Sequence, residues 1–288
     1  MRALAILLYA SLLAAQPANE TPLDAATIMA KVAATMEKAA EGRKQYVYHQ
    51  KIRSSLVRTN GQIARREARE YSVIPTEKGT EKKLVSFKGE YRKGKQTLSY
   101  SKPGFNTKGY DIDGELISDL TDDLVDDKDS RDGIPHSLFP LASKDLAYYK
   151  FTMKGRTDQD GRRAYQILFE PAKGEMCVNI GGKDDCLSRP WKGEAWIDAE
   201  EFQPMRIVTE LAIQIPWGVR VFLGTNLRQT GFSVTYRRVG ENIWFPATYG
   251  TEFRLNVLWG YRRTVTLALE SSDFRKADAV SKIAYDIN

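Results

Sequence analysis

Histidine is scarce in this 288-residue chain: His49 and His136 are the only two. A Ser–His–Asp device would have to be built on one of them. Ser137 follows His136 directly, but neighbours in sequence do not make a triad, and no G-x-S-x-G elbow is present. His49 falls on the outer face of a stretch with strand patterning. The run Asp127-Lys128-Asp129-Ser130-Arg131-Asp132-Gly133 starts like a calcium-binding EF-hand loop. Arg131 stands at its fifth position, however, and Leu138 falls at the twelfth, where a bidentate Glu is required. The run therefore reads as a solvated helix and loop, and neither a metal nor a cofactor is expected. Cys177 and Cys186 flank Gly181-Gly182. In an oxidising compartment that arrangement reads as a disulfide-locked hairpin, worth about 2–3 kcal/mol. Trp191, Trp196, Trp217, Trp244 and Trp259 lie in the C-terminal half and read as core or rim residues.

The elements that would position these side chains begin after a targeting segment. Arg2, the apolar run Ala3–Ala15 and then Gln16-Pro17 have the charge, short apolar core and small residues of a secretory signal peptide. Residues 1–15 are expected to be removed, which places the protein in the periplasm or outside the cell. Residues 16–288 are expected to form one domain. The formal charge is +6, from 43 Lys and Arg against 37 Asp and Glu. The basic residues read as spread along strands, which argues against a nucleic-acid partner and leaves room for transient contact with a membrane surface or membrane proteins.

Asp24 precedes an Ala-rich stretch in which Ile28, Val32 and Met36 recur at helical spacing, with Gly42 as its stop. From Lys44 the period becomes two. Tyr46, Tyr48, Ile52 and Leu56 share one face, Asn60-Gly61 signals a hairpin, and the return strand carries Arg65, Glu67 and Arg69 on what reads as its outer face. Residues 111–132 hold ten acidic side chains, and Leu116, Ile117, Leu120 and Leu124 predict an amphipathic helix over Glu115–Val125 inside an acidic insertion near 111–141. Further alternating stretches follow, among them the hairpin GEAWIDAEEFQPMRI, whose second strand sets Met205, Ile207, Thr209, Leu211, Ile213 and Ile215 on one side. The expected fold is mainly β with a few helices (α+β). Ten to twelve strands form a large curved antiparallel sheet or half-open barrel, covered by the N-terminal helix and the central insertion. Two helices must shield a wide apolar face. Either they fill it completely, or they leave a cavity suited to an acyl chain.

The Ala-rich helix Asp24–Glu41, the long hairpin Tyr46–Ile74 and the element GEAWIDAEEFQPMRI together resemble the LolA/LolB-like superfamily of periplasmic lipoprotein carriers and related lipid-sensing domains. That hairpin is similar to the family's G-x-x-x-I-D-x-x-x-x-x-P-x-R-I form. The resemblance implies a half-open barrel with helices as a lid over a hydrophobic cavity, and a noncatalytic carrier or sensor for a lipid acyl chain or a lipidated protein, as in outer-membrane lipoprotein sorting. On that reading Tyr46, Tyr48, Ile52, Leu56, Ile207, Leu211 and Ile213 line the concave face, and Ile28, Val32 and Met36 face it from the lid. The alternative is a secreted hydrolase whose carboxylates are distant in sequence.

Overall fold

In the computed structural model the Asp24 carboxylate accepts the Thr27 N–H at 2.7 Å and so caps helix α1, Ala25–Arg43. The helix runs one residue past Gly42, and Arg43 returns its guanidinium to the Met36 carbonyl at 3.0 Å. Ile28, Met29 and Val32 are wholly buried, with Ala33 and Met36 nearly so. The large side chains of this stripe each contribute roughly 1.5–3 kcal/mol of gross burial. The structure describes residues 23–76, 79–125, 134, 141–172, 191–212, 231–257 and 260–277. The expected signal segment, the cysteine hairpin, the calcium-like run, His136, Ile213, Trp217 and Trp259 lie outside the described residues.

Among the described residues eleven strands follow the period-two stretches: β1 Tyr46–Val57, β2 Ile63–Thr76, β3 Gly79–Lys93, β4 Gln96–Tyr100, β5 Tyr149–Gln159, β6 Arg162–Pro171, β7 Trp191–Asp198, β8 Pro204–Leu211, β9 Phe232–Gly240, β10 Ile243–Val257 and β11 Tyr261–Lys276. Helix α2, Ile112–Val125, stands between β4 and β5. It begins three residues earlier than the leucine spacing indicated. All ladders are antiparallel, in the order β4-β3-β2-β1-β11-β10-β9-β8-β7-β6-β5. The chain therefore starts in mid-sheet and meanders to one edge. It then crosses through α2 to the opposite edge and meanders back until its last strand pairs with its first.

Among the described residues the edges β4 and β5 do not pair with each other, so the sheet they form is open. It is nevertheless curled. Helix α1 touches both β5 and β10, which stand five places apart in the sheet. At about 4.8 Å per strand a flat sheet would separate them by roughly 24 Å, twice a helix diameter. One main core results, in which the α1 stripe meets Tyr48 and Ile52 of β1, Ile167 of β6, Ile207 of β8, Phe245 of β10 and Leu269 of β11.

The β7–β8 hairpin is built as its sequence suggested, with Met205, Ile207 and Thr209 buried along β8. Its turn is held by Asp198, which accepts the N–H groups of Glu200 and Glu201 and is paired with Arg162. Phe202 sits at the tip with φ +50°, the left-handed region a non-glycine residue rarely occupies. The helix holds it there: Thr35 donates its hydroxyl to the Phe202 carbonyl at 2.7 Å, and the Lys31 ammonium lies 4.6 Å from the ring centre.

Candidate ligand-binding face

The inner face of β1 reads Tyr46, Tyr48, Gln50, Ile52, Ser54, Leu56, and from Tyr48 to Leu56 every one of these is buried. Tyr46 is half-buried. Tyr46 and Tyr48 set their edges against Phe245 at 5.6 and 5.3 Å, and Tyr48 stacks on Phe274 at 5.3 Å. Ile28, Val32, Met36, Ile52 and Ile207 join them in the main core, and Leu211 is half-buried at the end of β8. Leu56 does not belong to that group. It packs with Ala64, Ile117 and Val265 in a second, smaller cluster beneath α2. Two helices thus cover two parts of one face, and the sequence-derived lining is divided between them.

Between the clusters lies a group of charges that the sequence reading placed on the wrong side. Arg65, Glu67 and Arg69 do not face solvent. They are 1%, 3% and 1% exposed, on the same inward face of β2 as Tyr71 and Val73. The correction follows from parity, because side chains at i, i+2 and i+4 of a strand share a face. Tyr71 and Val73 are core residues, so Arg69, Glu67 and Arg65 must point inward with them. The apolar end of β2 carried the signal that its charged end concealed.

Inside, the three make one hydrogen-bonded set. Glu67 accepts from Arg69 at 2.8 and 3.0 Å and from the Tyr100 hydroxyl at 2.5 Å. Arg65 donates to the Tyr100 oxygen at 2.9 Å, to Asp111 at 2.8 Å and to the Phe105 carbonyl. Tyr100 reaches this position because it pairs with Gly89 across β3 and β4, and a Cβ there would stand 2.3 Å from its ring. Burial raises the Tyr100 phenol, and donation to the Glu67 carboxylate raises it further.

Most of what fastens α2 to the sheet is polar. Asp111 binds Arg65. Asp113 accepts from Arg263 at 2.8 and 2.9 Å and from the Tyr261 hydroxyl at 2.6 Å. Asp122 binds Arg69 at 2.5 Å, and Lys82 donates to the Val125 carbonyl at 2.7 Å. Inside the helix Thr121 meets Ser54 of β1, oxygen to oxygen, at 3.3 Å. Ile117 and Leu124 are the large apolar side chains α2 buries. Helix α1 is held by a continuous hydrocarbon stripe, whereas α2 is held at its start and end by carboxylates and a carbonyl.

Those ties titrate. Burial pushes the Asp111 carboxyl up, but the N–H groups of Thr107 and Gly114 and the Arg65 guanidinium outweigh it, so its pKa lies below the ordinary 3.8. A depressed carboxyl stabilises the fold fully above its unfolded value, and that stabilisation disappears as pH falls through the folded value. We expect urea-unfolding free energy to drop as pH is lowered through about 4 towards 3. The drop should be smaller in Asp111→Asn, and an equal drop in both proteins would remove Asp111 from the account.

No protein-family profile matches the chain, and no curated protein does. Solved structures do. A DUF1329 family protein from Desulfovibrio piger is 11% identical at a TM-score of 0.39, over 91% of this chain and 98% of that one. A LolA superfamily protein from Nitrosomonas europaea is 12% identical at 0.35, over 88% and 96%. The lipoprotein LppX from Mycobacterium tuberculosis is 11% identical at 0.28, over 88% and 97%.

Proposed function

We propose that the protein is a noncatalytic carrier or sensor that takes an acyl chain, of a lipid or of a lipidated protein, between the inner face of the sheet and its helices. The working compartment is the periplasm or the cell exterior, and sorting of outer-membrane lipoproteins is one role this activity would serve. The observation that carries the reading is the unequal attachment of the two helices. A hydrocarbon guest needs apolar walls and a door. Tyr46, Tyr48, Ile52, Ile207 and Leu211 supply walls, with Ile28, Val32 and Met36 opposite them on the fixed helix. Leu56 lies under α2, which polar ties hold in place. Lifting α2 exchanges protein ion pairs for water and uncovers Ile117 and Leu124, with half-buried Leu116, Leu120 and Val125 beside them. Helix α1 has a continuous buried stripe and, among the described residues, no such set of ion pairs to the sheet, so α2 is the helix assigned to move. The carboxylates gathered on this face, Glu67, Asp111 and Asp122, are each held by a guanidinium, which is positioning chemistry and not the paired acid and base of a hydrolase. Native mass spectrometry of protein purified without detergent should show a bound mass that organic solvent extracts as lipid. A clean unliganded mass, unchanged after incubation with fatty acid, would sink the proposal.

A further inference from the structure

One end of the sheet gathers unneutralised positive charge. Register places a row of residues side by side across six strands: Leu98, Tyr91, Arg65, Leu56, Val265 and Phe253. Beyond that row, on the same side, come the β1–β2, β3–β4 and β10–β11 turns, and α2 begins there too, since Asp111 binds Arg65 and Asp113 binds Arg263. Lys93 and Lys95 lie at the β3–β4 turn, Lys102 and Lys108 in the loop whose Phe105 stacks on Tyr100, and Arg254 and Arg262 beside the β10–β11 turn. All six are exposed, and among the described residues none of the six enters an ion pair. Asp111 and Asp113 are already consumed by arginines, and Glu90 by Arg66. Exposed Glu115 and Glu252 offset only part of the excess. Apolar groups stand exposed among these cations: Tyr110 at 85%, Ile63 at 42% and Ile112 at 39%. In three dimensions the charge is therefore less evenly spread than it reads along the sequence.

We propose that this end of the sheet is a docking surface for an anionic lipid bilayer, with Tyr110 and Ile112 at the interface and the lysines and arginines over the headgroups. Cations attracted to anionic headgroups, with a tyrosine at the water–hydrocarbon boundary, are the two chemistries such a surface rewards. Docking in this orientation sets the start of α2 against the membrane. The inference concerns the outer surface and stands or falls independently of what the interior holds.

The test is cosedimentation of the purified protein with vesicles of equal parts phosphatidylglycerol and phosphatidylcholine. The wild type is expected to bind these, to release as salt rises, and to ignore phosphatidylcholine alone. Each basic residue near an anionic surface is worth roughly fivefold in partitioning. K93Q/K95Q/K102Q/K108Q should therefore lose at least about a hundredfold. The control K38Q/R237Q/R275Q/K276Q removes the same formal charge from exposed positions on α1, β9 and β11 away from this end, and it should stay close to wild type. Equal loss in both variants would mean that net charge alone drives binding, and would overturn the assignment. So would absence of vesicle binding by the wild type. Binding to soluble polyglutamate but not to vesicles would give the surface to an acidic protein and overturn it as well.

Discussion

Glu67→Gln is expected to destabilise the fold by about 3–5 kcal/mol, the cost of removing one partner from a buried ion pair. The side chain keeps its shape and loses its charge, so little packing changes. What changes is the balance around it: Arg65 and Arg69, both 1% exposed, face inward on either side of residue 67 and lose the carboxylate between them. Asp122, the other carboxylate that Arg69 reaches, is itself 60% exposed and compensates poorly. The new amide also points a donor at a site where Tyr100 and Arg69 already donate. Chemical denaturation measures the loss, and a change below about 1 kcal/mol would show that the buried charges do not depend on Glu67. Converting the set together with the buried partners it would orphan, R65M/E67L/R69M/Y100F/D111N, should cost less than the sum of the single substitutions, because it removes the charges along with their partners. The set is then better understood as fixing where α2 sits than as adding net stability.

Much of this architecture was legible because strands announce themselves by alternation. The inner face of β1 and the buried positions of β8 follow directly from period two, and Asp24 caps α1 as its type and place require. Two things were hidden, for different reasons. The pairing of β1 with β11 joins the two ends of the chain, and no local pattern encodes a contact between residues as distant as Ile52 and Leu269. Arg65, Glu67 and Arg69 were misplaced because charge normally marks the solvent face. Their burial is possible only because Tyr100, Asp111 and Asp122 arrive from elsewhere to satisfy them. The fastening of α2 was beyond reach for the same reason: the leucines that suggested a helix say nothing about which arginines would hold its acidic residues.

A disulfide from Ser54→Cys and Thr121→Cys should make the protein more stable and less able to take up lipid. The two hydroxyl oxygens stand 3.3 Å apart, from the middle of β1 to the buried side of α2, so the bond would tie the proposed door to the wall. Closing a loop of that length is worth about 4 kcal/mol in the chain-entropy account, less any strain. Damage to the fold would lower stability and binding together, whereas a locked door raises one and lowers the other. That opposition makes the variant decisive. The direct measurement is the fluorescence of cis-parinaric acid, which brightens on leaving water, followed with S54C/T121C before and after oxidation. The account predicts saturable uptake by the reduced protein, at least about tenfold slower uptake once oxidised, and full recovery on adding reductant. Equal uptake in both states, or none by the reduced protein and the wild type, would contradict a lipid-binding interior gated by α2.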